Sequence, residues 1–332
     1  MKKLLTIALI AGAAFAATGY KVLNKIKIGG AGSWDYCLMD SAARRLYVSH
    51  GTSVAVVDPD AGTVVGTIPD LHGVHGIAVA PDLGKGFITN GQSGSVTIFD
   101  LKTLAKTGEP AVGQNPDAVC YEPKTHRVFT FNGRSNDSSV IDAKTGQVVA
   151  TLPLNGKPEF CAVDGGGKIY NNLEDKSEVV EIDAAKPEVT RRTSILPCEG
   201  PSGLAIDVKD KKLFSVCDGA MAVTDITTFK VVATPKIGQG PDAAGFDPEL
   251  GLAFSSNGQD GTLSIVQVSG GKYETIDTVP TERGARTMTV DTKTHRIYLL
   301  AAEYGPPSAG AQPGRGRTPA LPDSFHVLVV GK

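Results

Sequence analysis

Beyond residue 16 no stretch reaches 18 consecutive apolar residues, so no later transmembrane helix is expected. No basic run follows Lys3, and Lys+Arg 33 against Asp+Glu 35 leaves a net charge of −2. A nucleic-acid partner held by phosphate neutralisation is therefore not expected. Aromatics make up only 6% of the chain, with one tryptophan, Trp34, which argues against aromatic-rich quinone or sugar platforms. None of the five cysteines, Cys37, Cys120, Cys161, Cys198 and Cys217, has another three residues away. That excludes CxxC redox or zinc knuckles and CxxCH haem attachment. The motifs GxSxG, HExxH, GxxxxGK[ST] and the EF-hand loop are also missing. Gly91-Gln-Ser-Gly-Ser95 reads as a glycine-rich hairpin turn. No helical periodicity appears after the first residues.

What is present is turn-forming and moderately apolar. Gly counts 39 and Pro 20, so turns are frequent, while 41% hydrophobic residues exclude a disordered chain. The 332 residues are long for one ordinary core, so the chain has two domains or a core of repeats. Residues 1–16 read as a signal peptide: Lys2 and Lys3, an apolar run Leu4–Ala14, then small-x-small Ala14-Phe15-Ala16. An exported, soluble protein is expected, periplasmic or secreted, with no transmembrane anchor. The cysteines then lie in an oxidising compartment, and five being odd, at least one thiol stays free if the rest pair internally.

An internal period organises residues 17–332. Apolar strands ending in a polar residue close at Asp58, Asp100, Asp142, Asp183, Asp225 and Gln267, spaced by 42, 42, 41, 42 and 42. A last copy, Phe-His-Val-Leu-Val-Val330, follows after a Gly/Pro-rich insertion at 304–322. Each period holds four strand-like pieces, in the third copy Ala118–Tyr121, Arg127–Phe131, Ser139–Asp142 and Gln147–Leu152, separated by turn signals. A sheet this short cannot bury both faces alone, but sheets stacked radially can. The expectation is a single all-β domain, a seven-bladed β-propeller of four-stranded antiparallel blades. The last copy lacks a fourth strand, and the orphan segment Tyr20–Ile28 would complete blade 7 and close the ring. A solenoid is the alternative, but it needs capping repeats and has no use for the orphan strand.

Arg-Leu-Tyr47-Val-Ser, Ser53-Val-Ala-Val-Val-Asp58 and Gly62-Thr-Val-Val-Gly-Thr-Ile68 resemble the YVTN-type β-propeller repeat. Gly146-Gln-Val-Val-Ala-Thr-Leu-Pro-Leu-Asn-Gly156 and Thr294-His-Arg-Ile-Tyr298 do so too. The resemblance covers residues 20–332 and implies the propeller fold. It implies no activity, since such propellers include exported proteins with none assigned.

Aligning the copies on their Gly-Pro-x turns puts one residue per blade where the innermost strand enters the channel: Asp35, His75, Asp117, Glu159, Ser202, Asp242 and Arg286. Four carboxylates, a histidine and an arginine would then face one opening. Such a set needs a cation, Arg286 or raised pKa values to offset its like charges. Pro-Asp also caps turns, which would account for single members but not for His75, Glu159 and Arg286 together. On the same face the second hairpin offers His50, Asn90, Asn132, Asn172, Asp218 and Asn257, mostly turn-type residues. His50 with His75 and Asp35, joined by His72, is one way to hold a metal ion. His126 and His295, in matching Lys-Thr-His-Arg turns, belong to the opposite face as repeat consensus. Strand pairing in blade 5 brings Cys198 towards Cys217, either bridged or as an unbridged pair.

The leading functional expectation is a monomeric, non-enzymatic binding or scaffold propeller. Its channel mouth, lidded by Tyr304–Pro322, would receive a small polar ligand or a partner protein's loop, with a divalent cation as a possible companion. A second is a metal-dependent hydrolase similar to lactonase-type propellers, using Glu159, Asp117 and Asp242. A third is a subunit of a periplasmic redox complex, resembling the propeller chains of amine dehydrogenases.

Overall fold

The computed structural model describes residues 18–30, 33–305 and 320–332. The signal-peptide expectation, and residues 306–319 of the insertion, lie outside them. Seven four-stranded antiparallel sheets form the ring. In blades 1 to 6 strands run from the axis outwards in chain order; blade 3, for example, is Pro116–Glu122, Arg127–Asn132, Asp137–Asp142 and Val148–Pro153. Blade 7 is composite. Met288–Asp291, Arg296–Ala301 and His326–Gly331 are followed by Lys21–Lys27 as the outermost strand. Lys21 pairs with Gly331 and Lys27 with His326, so the two ends of the ring are joined by backbone hydrogen bonds.

The turn chemistry explains the sequence period. Asp58, Asp100, Asp142 and Asp183 each accept backbone N–H bonds through Oδ1 from the residues two and three positions on, and Asp225 accepts one from Thr228. An Asx-type turn is thus built into the end of the third strand in blades 1 to 5, and the repeated aspartate is its mark. The first hairpin ends in a left-handed residue: Gly84 and Gly251 in two blades, His126 (φ 52°) and His295 (φ 56°) in two others. Those histidines occupy a turn position on the face away from the mouth, as expected of repeat consensus.

The core lies between blades. The second strand of each blade carries a fully buried aromatic at a matching position, Tyr47, Phe87, Phe129, Tyr170, Phe214, Phe254 and Tyr298, and blade 3 adds Phe131. Placing scarce aromatics at this one position lets a chain with few of them fill every interblade layer, where their large apolar area counts most. Outer strands are exposed, as in Thr63–Ile68 and Val148–Pro153. Two disulfides add covalent ties. Cys198 and Cys217 are bridged (Cα–Cα 5.5 Å), and Cys120 of blade 3 is bridged to Cys161 of blade 4 (Cα–Cα 6.4 Å). Cys37 is a buried free thiol.

Candidate functional site

At the top of the innermost strands the register slips. Val74 and Ile77 oppose Asn90 and Ile88, Pro116 and Val119 oppose Asn132 and Thr130, and Pro158 and Cys161 oppose Leu173 and Asn171. In blade 6, Asp242 is the extra residue between Pro241 and Ala243. These are β-bulges, which re-aim a side chain at a strand end. The bulged residues are His75, Asp117, Glu159 and Asp242. Polar groups of the second strand hold the mouth backbone in place. Thr89 Oγ1 donates to the Asp117 carbonyl at 2.6 Å and accepts from Gly76 N. Asn172 Nδ2 donates to the Ser202 carbonyl at 3.0 Å, the Ser256 hydroxyl donates to the Arg286 carbonyl, and Asp35 N donates to Ser49 Oγ at 3.0 Å.

The aimed side chains form a run of alternating charge across five blades. Arg286 Nη1 donates to Asp242 Oδ2 at 2.6 Å, and its Nη2 lies 3.7 Å from Asp35 Oδ1. Asp35 Oδ2 and His75 Nδ1 share a hydrogen bond of 2.5 Å, and the same nitrogen is 3.7 Å from Asp117 Oδ1. Glu159 stands with Lys157 at 2.8 Å, and Lys157 also pairs with Glu174. Ser202 is the exception. Its hydroxyl donates to the Pro241 carbonyl at 3.0 Å, tying blade 5 to blade 6.

Burial sets the electrostatics. It pushes Glu159 up to about 8, helped by the Asp117 charge, and Asp117 up to about 6, helped by Asp35. Burial alone would lower the His75 pKa, but the hydrogen bond to Asp35 and the charges of Asp117 and Asp35 outweigh it and leave it raised. One Asp117 carboxylate oxygen, Oδ1, is buried with no hydrogen-bond partner. Such an atom forgoes the donor it would have in water.

Sequence reasoning missed an aromatic pair beside these residues. Tyr36 of blade 1 stacks on Phe160 of blade 4, ring centroids 4.4 Å apart and planes at 25°. Burial, then the charges of Asp117, Asp35, Glu159 and Asp242, hold the Tyr36 phenol well above its ordinary value, and its hydroxyl donates a hydrogen bond to the Asp117 carboxylate. A signal existed. The residues after the other mouth positions are Gly76, Ala118, Gly203, Ala243 and Thr287, all small. At Gly76 a β-carbon would lie 2.6 Å from the Asp117 carbonyl, and at Gly203 it would lie 2.5 Å from Ala244 N. Tyr36 and Phe160 break that rule. Lys157 was also missed.

The second-hairpin residues separate. His50 does not join His75. It packs against Phe325 (centroids 4.7 Å), which also stacks on Trp34, and burial lowers its pKa. His72 is exposed. The grouping of His50 and His72 with His75 and Asp35 is corrected accordingly: among the described residues Asp35, His75 and Asp117 are the set whose ligand atoms come together. Asn90, Asn132 and Asn257 are buried and donate to side chains of their own hairpins. Grooves of about 450 and 400 Å³ between outer parts of neighbouring blades contain none of the mouth residues.

No family model matches the chain. Over 167 residues it is 26% identical to the uncharacterized protein YncE of Salmonella typhi, and likewise to that of Salmonella typhimurium LT2. The match covers 47% of this chain and 46% of each relative, so the chain spans about half the length of the curated relatives it matches. Among solved structures, a chain of Kuenenia stuttgartiensis hydrazine synthase superposes with a TM-score of 0.73, over 81% of this chain and 92% of that one. At 17% identity that likeness shows a shared propeller fold.

Proposed function

We propose that the protein is an exported, non-enzymatic binding propeller of the YVTN-repeat type, acting as a monomer. Its channel mouth receives a small polar ligand carrying a cationic group. The observation that supports this reading most directly is the buried Asp117 oxygen without a donor, beneath an opening flanked by Asp35, His75 and Glu159. A ligand ammonium or metal ion supplies the missing partner.

Thermal-shift and calorimetric titration with putrescine, arginine and glycine betaine tests it. Binding by the parent, lost in Asp117→Asn with Glu159→Gln, is the expected result. Equal binding by parent and double variant would remove the mouth from consideration. The metal-dependent hydrolase is favoured by one observation, the convergence of Asp35, His75 and Asp117. It differs in requiring turnover of a lactone or ester by the metal-loaded protein. The hydrazine synthase likeness extends to the fold alone and gives the redox-subunit reading no further support.

A further inference from the structure

We infer that Asp35, His75 and Asp117 form a three-ligand site for a divalent first-row transition-metal ion. The inference rests on the binding reading above and names the cation that the mouth takes.

Distances carry the first part. Metal–ligand bonds of about 2.1 Å in tetrahedral arrangement place ligand atoms about 3.4 Å apart. His75 Nδ1 stands 2.5 Å from Asp35 Oδ2 and 3.7 Å from Asp117 Oδ1, and the three ligand atoms lie within 4.8 Å of one another. Only a small outward movement of the Asp35 carboxylate is needed, with an ion replacing the proton shared between Asp35 and His75.

Charge accounting carries the second. Arg286 is hydrogen-bonded to Asp242, and Lys157 is paired with both Glu159 and Glu174. Among the described residues, the two strong cations of the mouth are thus engaged by other carboxylates. His75 is, among the described residues, the cationic group between Asp35 and Asp117, Arg286 Nη2 lies 3.7 Å from Asp35, and Tyr36 adds a neutral hydrogen bond to Asp117. The buried Asp117 Oδ1, facing that histidine without a hydrogen bond, is the donor atom an ion would satisfy.

Packing aims the imidazole. A β-carbon at Gly91 would lie 2.6 Å from both Cδ2 and Nε2 of His75, so glycine there makes room for the ring edge while Nδ1 turns to the two carboxylates. One imidazole with two carboxylates suits Zn²⁺ or Mn²⁺. Ca²⁺ prefers six to eight oxygens, and Mg²⁺ keeps most of its water.

The test uses the whole protein stripped with EDTA and dialysed, then titrated calorimetrically with ZnCl₂, with MnCl₂ and with MgCl₂. One Zn²⁺ or Mn²⁺ per chain is expected. His75→Gln and Asp117→Asn should each weaken uptake about 100-fold, since even groups that merely orient a ligand cost roughly 10–100-fold. His72→Gln, at an exposed neighbouring histidine, should bind as the parent does. Should His75→Gln fail to fold, Co²⁺ in the parent reports the site through the intense visible bands of a four-coordinate ion. No uptake by the parent, or uptake unchanged in Asp117→Asn, overturns the inference. If metal fails to bind while the organic probes still bind at the mouth, this inference falls and the binding reading stands. If neither binds, both fall.

Discussion

Glu159 and Asp117 are carboxyls whose folded-state environment favours the proton. Burial first, then the Asp117 charge for Glu159 and the Asp35 charge for Asp117, raise them to about 8 and about 6, against roughly 4 in an unfolded chain. His75 is raised too, through its bond to Asp35, despite burial that would lower it. All three give the same sign. The folded state holds protons that the unfolded chain has released, so stability falls as pH rises from about 4 to about 8. Asp183 and Asp225, held near 2 by hydrogen bonds from turn N–H groups and nearby lysines, have the opposite sign and lose their contribution only as pH falls from about 4 towards 2. With chelator present, the melting temperature at about pH 8.5 should therefore lie about 3 °C below that at about pH 6, a shift corresponding to roughly 1 kcal/mol in a protein of this size class. Asp117→Asn with Glu159→Gln should flatten that slope and raise the melt at the higher pH. A parallel slope in the double variant would show that the mouth does not set it.

Elements here are defined by their ends. The Asx turns closing third strands left a mark every 42 residues because the aspartate hydrogen-bonds locally, to residues two and three ahead. The bulges at the channel left a weaker one, since a bulge is defined by a partner strand. The disulfides differ in the same way. Cys198–Cys217 closes a loop within one blade, 19 residues apart, whereas Cys120–Cys161 links neighbouring innermost strands across 41. Loop-closure entropy assigns about 3 and about 4 kcal/mol to them. Replacing Cys120 and Cys161 together by Ser should thus cost the larger amount in guanidinium unfolding. Peptide mapping without reduction should recover both linked pairs and one free thiol, Cys37. Free thiols at 120 and 161 in the native protein would contradict the interblade tie.

For the whole molecule the decisive contact is Lys21–Lys27 on His326–Gly331, because it turns an open row of blades into a ring and removes two sheet edges. The innermost strands neighbour one another in order, and that of blade 7 meets that of blade 1. Deleting residues 20–28 should open the last blade, lower the melting temperature sharply or cause aggregation, and loosen the mouth, where Arg286 of blade 7 faces Asp35 of blade 1. A truncated protein as stable as the parent would mean that closure contributes little.

Blade number, strand identity and the one-per-blade set from Asp35 to Arg286 were legible in the sequence alone, since each is written by local chemistry repeated at a fixed period. Alternation makes a strand, a side-chain oxygen makes a turn, and the spacing counts the copies. Tertiary structure decided what the mouth residues do to one another. Arg286 turned to Asp242, Ser202 was taken up by a backbone carbonyl, and His50 went to Phe325 and left His75 to Asp35 and Asp117. It also set Tyr36 on Phe160 from opposite parts of the ring. Those outcomes depend on distances across an axis that exists only once seven sheets have closed around it, and no periodicity along the chain encodes a distance across the ring.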